Sequence, residues 1–109
     1  MTQVIRMRKV SPPATVESSE DVTVHRETLR SFLEDALKKI VDNSRNISVS
    51  FMVGERTTVY NVSCTQEELG KIIGAKGKTI NSLRVITLAM SSRMGFRSVI
   101  EIPYFPDNN

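Results

Sequence analysis

The residues of this chain best suited to chemistry lie between positions 71 and 80. The run Ile72-Ile73-Gly74-Ala75-Lys76-Gly77-Lys78-Thr79-Ile80 sets two glycines three apart, with Lys71, Lys76 and Lys78 around them and no acid. Glycines at that spacing, one at a helix end and one at a helix start, let the backbone turn sharply and let another backbone approach closely. Beyond the second glycine the amides of Gly77 and Lys78 are expected to open a helix, where unpaired N–H groups and the positive end of the dipole favour an anion. Three lysines supply mobile positive charge around the same point. The chemistry this pattern suits is the holding of a phosphodiester.

Other chemistries find no support. Gly77-Lys78-Thr79 resembles the end of a nucleotide-binding P-loop, but the first glycine of that motif would fall at position 72, which is Ile72, and a strand would have to precede it. His25 is the single histidine and Cys64 the single cysteine. A Ser-His-Asp triad or a His-rich metal site cannot be assembled from them. His25 reads as a solvated tail residue, and Cys64 as a structural thiol with no adjacent base to activate it. No catalytic residue, metal ligand or cofactor is expected. The aromatic strand motif of the RRM, a common RNA-binding module, is also missing.

The charge distribution points the same way as the loop. Over 109 residues, 15 Lys+Arg stand against 12 Asp+Glu, a net charge of only +3. Residues 69–100 nevertheless hold Lys71, Lys76, Lys78, Arg84, Arg93 and Arg97 without one acid. So local a positive field implies a polyanionic partner, most often nucleic acid. No apolar run approaches the ~20 residues that a membrane-spanning helix needs. The first ten residues lack the apolar stretch of a secretory signal. One cysteine allows no internal disulfide, so a cytoplasmic setting is the simplest expectation.

The elements that must position the loop can be read from periodicity. Residues 1–24, with Ser11-Pro12-Pro13 and the acidic run Glu17-Ser18-Ser19-Glu20-Asp21, show no apolar period and read as a disordered tail. Leu29, Phe32, Leu33, Ala36, Leu37, Ile40 and Val41 then recur at helical spacing and predict an amphipathic helix of about four turns. Two β-rich stretches, Ile47 to Val53 and Thr57 to Val62, flank Gly54-Glu55-Arg56 as a hairpin. Thr65-Gln66-Glu67-Glu68 has the form of a capping box and opens a short helix into Ile72-Ile73. A second helical stripe of Ile80, Leu83, Thr87, Met90 and Met94 follows the loop, stops at Gly95, and leads to a last strand ending at Pro103. Tyr104-Phe105 then reads as a flap over the sheet or an interaction patch. The expected organisation is a tail over 1–24, one domain over 25–103 and a short C-terminal tail over 104–109.

In these residues the chain resembles the KH family, whose signature is an aliphatic pair, Gly-x-x-Gly, two residues and a further aliphatic. Every position of it is filled between Ile72 and Ile80. The order α-β-β-α-α-β resembles the type II arrangement, an α+β fold with a three-stranded mixed sheet and helices packed on one face. Glu68-Leu69-Gly70-Lys71 before the loop and Leu83-Arg84 after it are similar to the small stand-alone bacterial members, across about residues 27–102. The tail is a departure from them. The resemblance implies single-stranded RNA as ligand, with the loop clamping the backbone of about four nucleotides beside an aliphatic groove. Carried onto this chain, it implies an RNA site of Lys71, Ile73, Gly74, Ala75, Lys76, Gly77, Lys78 and Arg84. It also implies a homodimer, or a heterodimer with a larger KH-containing RNA-binding protein, in RNA chaperoning or post-transcriptional regulation. The alternative is a protein-interaction module that keeps the KH fold only as a scaffold.

Overall fold

The structure, a computed structural model, describes residues 19–106. Its helices and strands follow in the order α1 (Ser19–Ile40), β1 (Ser48–Val53), β2 (Thr57–Ser63), α2 (Gln66–Ile73), α3 (Lys78–Met94) and β3 (Arg97–Glu101), with single 3-10 turns at Ser44–Asn46 and Ala75–Gly77. The sheet order is β1-β2-β3. β1 and β2 form an antiparallel hairpin, and β3 lies parallel to β2. This is the type II KH fold, α+β with a three-stranded mixed sheet.

Register explains the layering. Phe51, Tyr60 and Ile100 lie in one row across the three strands and face the helices, while the next row, Met52, Val59 and Val99, faces away. The core joins the inward row to Leu29, Leu33 and Leu37 on α1, Ile72 on α2 and Ile80 on α3. Side chains four apart on α1 lie on one face, which is why Leu29, Leu33 and Leu37 are all buried. Burying each contributes roughly 1.5–3 kcal/mol.

Helix α1 begins at Ser19, ten residues before the apolar stripe and inside the stretch read as tail. Its upstream turns are held by polar contacts that hydropathy does not register. The Arg26 guanidinium donates to Thr58 Oγ1 at 2.8 Å and lies 5.4 Å from the centre of the Phe96 ring. The Tyr60 hydroxyl donates to the Arg26 carbonyl at 2.9 Å. His25 therefore sits half-buried on a helix rather than in a tail. The rest of the expected tail, residues 1–18, lies outside the described residues.

Helix α3 approaches β3 through small polar residues. Thr87 and Ser91 are fully buried, and Ser91 Oγ lies 2.8 Å from Ser98 Oγ. Thr87 and Ser91 hydroxyls also donate back to helix carbonyls, so no buried hydroxyl in this seam lacks a partner. On α2 the capping box is complete: Thr65 Oγ1 accepts from the Glu68 amide at 3.3 Å, and the Glu68 carboxylate accepts from the Thr65 amide at 2.9 Å. Burial raises the pKa of the nearby Cys64 thiol, helped by the Glu68 charge, and holds it protonated.

Candidate nucleic-acid interface

Four residues separate α2 from α3, and their geometry is set by Gly74. Its φ of 77° and ψ of 172° lie in a region open essentially to glycine alone. A β-carbon there would stand 2.3 Å from Thr79 Oγ1 and 3.0 Å from the Thr79 amide nitrogen, so the first turn of α3 packs directly on the bare α-carbon. Gly77, at φ 76°, needs glycine for its dihedral only, since the nearest atom to a β-carbon would be Asn81 Nδ2 at 3.6 Å.

Between the glycines stands Lys76 in the left-handed region, φ 57° and ψ 25°. It is the one non-glycine residue with positive φ among the described residues. That conformation costs an L-residue roughly 1–2 kcal/mol. Such strain persists where surrounding structure imposes it, most often at ligand clamps and switch regions. Ala75 and Lys76 are exposed at the tip of the loop.

The loop's own hydrogen bonds correct one expectation. The Gly77 amide donates to the Gly74 carbonyl at 3.1 Å, and the Lys78 amide donates to the Ala75 carbonyl. Both close the 3-10 turn and are not open to an anion. The loop donors that keep no partner among the described residues are the amides of Ala75 and Lys76. The free donors of this loop therefore lie at the tip of the turn rather than on Gly77 and Lys78. Periodicity could not foresee this, because it carries no information on a single 3-10 turn.

The basic residues divide. Lys76 and Lys78 are exposed and have no ion-pair partner among the described residues. Lys71 is engaged: its Nζ lies 2.7 Å from Asp42 Oδ2, just past the end of α1, and this bond raises the lysine's pKa. Arg84, one to two turns into α3, extends to β3, where Nη2 donates to the Ile100 carbonyl at 3.3 Å. Ile73 ends α2 half-buried against the core. The structure thus brings Ile73 to Lys78 into one turn, ties Lys71 to Asp42, and places Arg84 at the α3–β3 seam. Two contributors escaped the sequence reading. Thr79 was legible as the residue two beyond the second glycine, whereas Asp42, 29 positions from Lys71, left no local signal.

Among the described residues no group of His, Cys, Asp and Glu could hold a metal ion. No described helix is long and apolar enough to cross a membrane.

The family model described as the KhpA/KhpB KH domain matches residues 30–102, from α1 to just past β3. Similar proteins include one from Aquifex aeolicus, 36% identical over 74 residues that make up 68% of this chain and 94% of its own. Another, from Chlamydia pneumoniae, is 31% identical with coverage of 68% and 95%, and one from Clostridium acetobutylicum is 28% identical over 99% of its length. Each of the three is named RNA-binding protein KhpA. With Gly-x-x-Gly between α2 and α3, a type II sheet order and a match from residue 30 to residue 102, the chain belongs to the KhpA/KhpB KH-domain family.

Proposed function

We propose that this chain binds single-stranded RNA and catalyses no reaction, taking the RNA backbone on the turn from Gly74 to Gly77. The observation that carries the reading is the strained Lys76, held with its amide and that of Ala75 unpartnered at an exposed, positively charged tip. A phosphate there would accept from the two amides and lie within reach of the Lys76 and Lys78 ammonium groups. Arg84, reaching across from α3 toward β3, would meet the strand further along, and Ile73 would line the apolar floor for bases. Lys71 contributes less while Asp42 holds it. A cytoplasmic role in RNA chaperoning or post-transcriptional regulation fits such a ligand.

Pairing with a second KH-containing chain, of its own kind or a larger one, belongs to the same reading. Its support is the outer face of α3, where Val85 is 68% exposed with Ile86 and Leu88 also open and no acid on the helix. Uncovered apolar groups grouped on one helix mark a contact surface more often than singly scattered ones do.

The test replaces Ala75 and Lys76 together with Asp. Two carboxylates then stand where a phosphate should sit, and one ammonium is lost. Asp tolerates the left-handed region better than most residues, so the turn survives. Wild-type affinity for a short single strand should be around micromolar, and the variant should bind at least about tenfold more weakly, which is about 1.4 kcal/mol. Its circular dichroism and melting temperature should match wild type. Undiminished RNA binding in a folded double variant would place the site elsewhere and favour the scaffold alternative.

A further inference from the structure

From Pro103 onward the C-terminal segment lies beyond the residues matched by the family model, and it presents an aromatic ring to solvent. Tyr104 is 84% exposed, while its neighbours Pro103 and Phe105 are half-buried and Ile102 packs against the core. Pro103 and Pro106 fix their own φ on either side, so the ring is held out by an anchored segment. Phe51, Phe96 and Tyr60, by contrast, are engaged in ring or hydrogen-bond contacts.

Contacts between α3 and β3 show where this ring lies along the molecule. Ser98 meets Ser91 and Thr87, and two residues further on Ile100 meets Arg84, so β3 advances as α3 recedes toward its start. A strand rises about 3.3 Å per residue and a helix about 1.5 Å, so each strand residue spans the height of about two helix residues. Carried on along the line of β3, the segment would bring Ile102 level with about Ile80, and Tyr104 with the turn from Gly74 to Gly77. On that extension the loop proposed to take phosphates and the exposed ring share one end of the molecule, and Arg84, on α3, already reaches β3 at the Ile100 carbonyl.

We propose that Tyr104 is a stacking platform for one unpaired base of the strand whose backbone the Gly74–Gly77 turn holds. The inference rests on the RNA reading and adds a second contact of different chemistry. Phosphates on the loop carry no base information, whereas a flat ring beside them takes the π-face of any base and favours a single strand over a duplex, whose bases are already stacked.

The chain provides its own probe, because it has no tryptophan and two tyrosines, of which Tyr60 is fully buried with its hydroxyl bonded to the Arg26 carbonyl. The full chain is titrated with a labelled single-stranded oligouridylate, following label anisotropy for binding and tyrosine emission for stacking. An abasic oligomer of equal phosphate number is titrated in parallel. We expect the oligouridylate to quench tyrosine emission and the abasic oligomer to bind with no quenching. Tyr104→Ser should weaken oligouridylate binding about five- to tenfold and leave the abasic oligomer unaffected, while Tyr104→Phe should bind as wild type. Binding with unchanged tyrosine emission, or a Tyr104→Ser variant that binds oligouridylate as wild type does, overturns the stacking proposal alone. Anisotropy that fails to rise for the wild-type chain overturns the RNA reading, and the stacking proposal with it.

Discussion

The carboxylate of Glu34 on α1 accepts the backbone amide of Val49 on β1 at 2.9 Å. Arg30, one turn earlier, donates to the carbonyl of the same Val49 at 3.2 Å and pairs with Glu34 at 3.0 Å. The outer edge of the sheet is thereby closed at Val49 by two side chains of a helix, and an edge with its polar groups taken is a poor template for pairing with another chain.

Stability on the acid side should depend on this contact. The Val49 amide, with Lys38 and Arg30 nearby, lowers the pKa of Glu34 below the ordinary carboxylate value of 4.5. A depressed folded-state value means that the stabilisation is present above about pH 4.5 and is lost as pH falls through the folded-state value. Glu34→Gln should lower the melting temperature at pH 7 and lose part of the acid-side slope seen in wild type. Thermal melts of both proteins from pH 7 to pH 3 check this, and parallel slopes would show that Glu34 is not a source of it.

Tyr60 supplies the opposite arm. Burial pushes its pKa from 10.0 up to about 12, with the Arg26 charge opposing. A raised value favours the neutral phenol in the folded chain, so its stabilisation is complete below pH 10 and is lost as pH rises toward 12. Tyr60→Phe removes the bond to the Arg26 carbonyl, which should cost about 0.5–1.5 kcal/mol near neutrality. The gap between wild type and variant should narrow above pH 10. Denaturant unfolding at pH 7, 9 and 11 measures that gap.

The two loop glycines should respond unequally to alanine. Gly77→Ala meets only an unfavourable dihedral and should cost about 1–2 kcal/mol, with the chain still folded. Gly74→Ala meets the Thr79 side chain and amide as well, so α2 and α3 must shift apart. Its melting temperature should fall further, and RNA affinity should be lost to a greater extent than in Gly77→Ala. Equal losses in the two variants would contradict the packing of Thr79 on Gly74.

Lys71 can be released by removing its partner. With Lys76, Lys78 and Arg84 meeting phosphates, log K should fall with log salt with a slope of about −2, from about 0.7 per neutralised charge on a single strand. Asp42→Asn frees a fourth cation, so the slope should steepen to about −3 and affinity should rise at low salt. Anisotropy titrations between low and moderate salt check it. An unchanged slope would mean that Lys71 stays out of reach of RNA even when unpaired.

The features legible in the chain as written share a short range. The turn at Gly54, the capping box of Thr65 with Glu68, the α1 stripe of Leu29, Leu33 and Leu37, and the glycine spacing at Gly74 and Gly77 each depend on residues within a few positions of one another. Local sterics and periodicity are enough for such patterns, and they sufficed for the element order and the loop. Tertiary structure decided what these elements face. The clamp of Arg26 on Thr58 and Phe96 extended α1 upstream of its apolar stripe, and the Ser91–Ser98 pair set how closely α3 approaches β3. Asp42 took Lys71, the Ile100 carbonyl took Arg84, and the 3-10 turn took the amides of Gly77 and Lys78. Long polar side chains and free amides pair with whatever packing brings to them, and that choice, made across 16 to 32 positions of sequence for Arg84, Lys71 and Arg26, leaves no periodic trace.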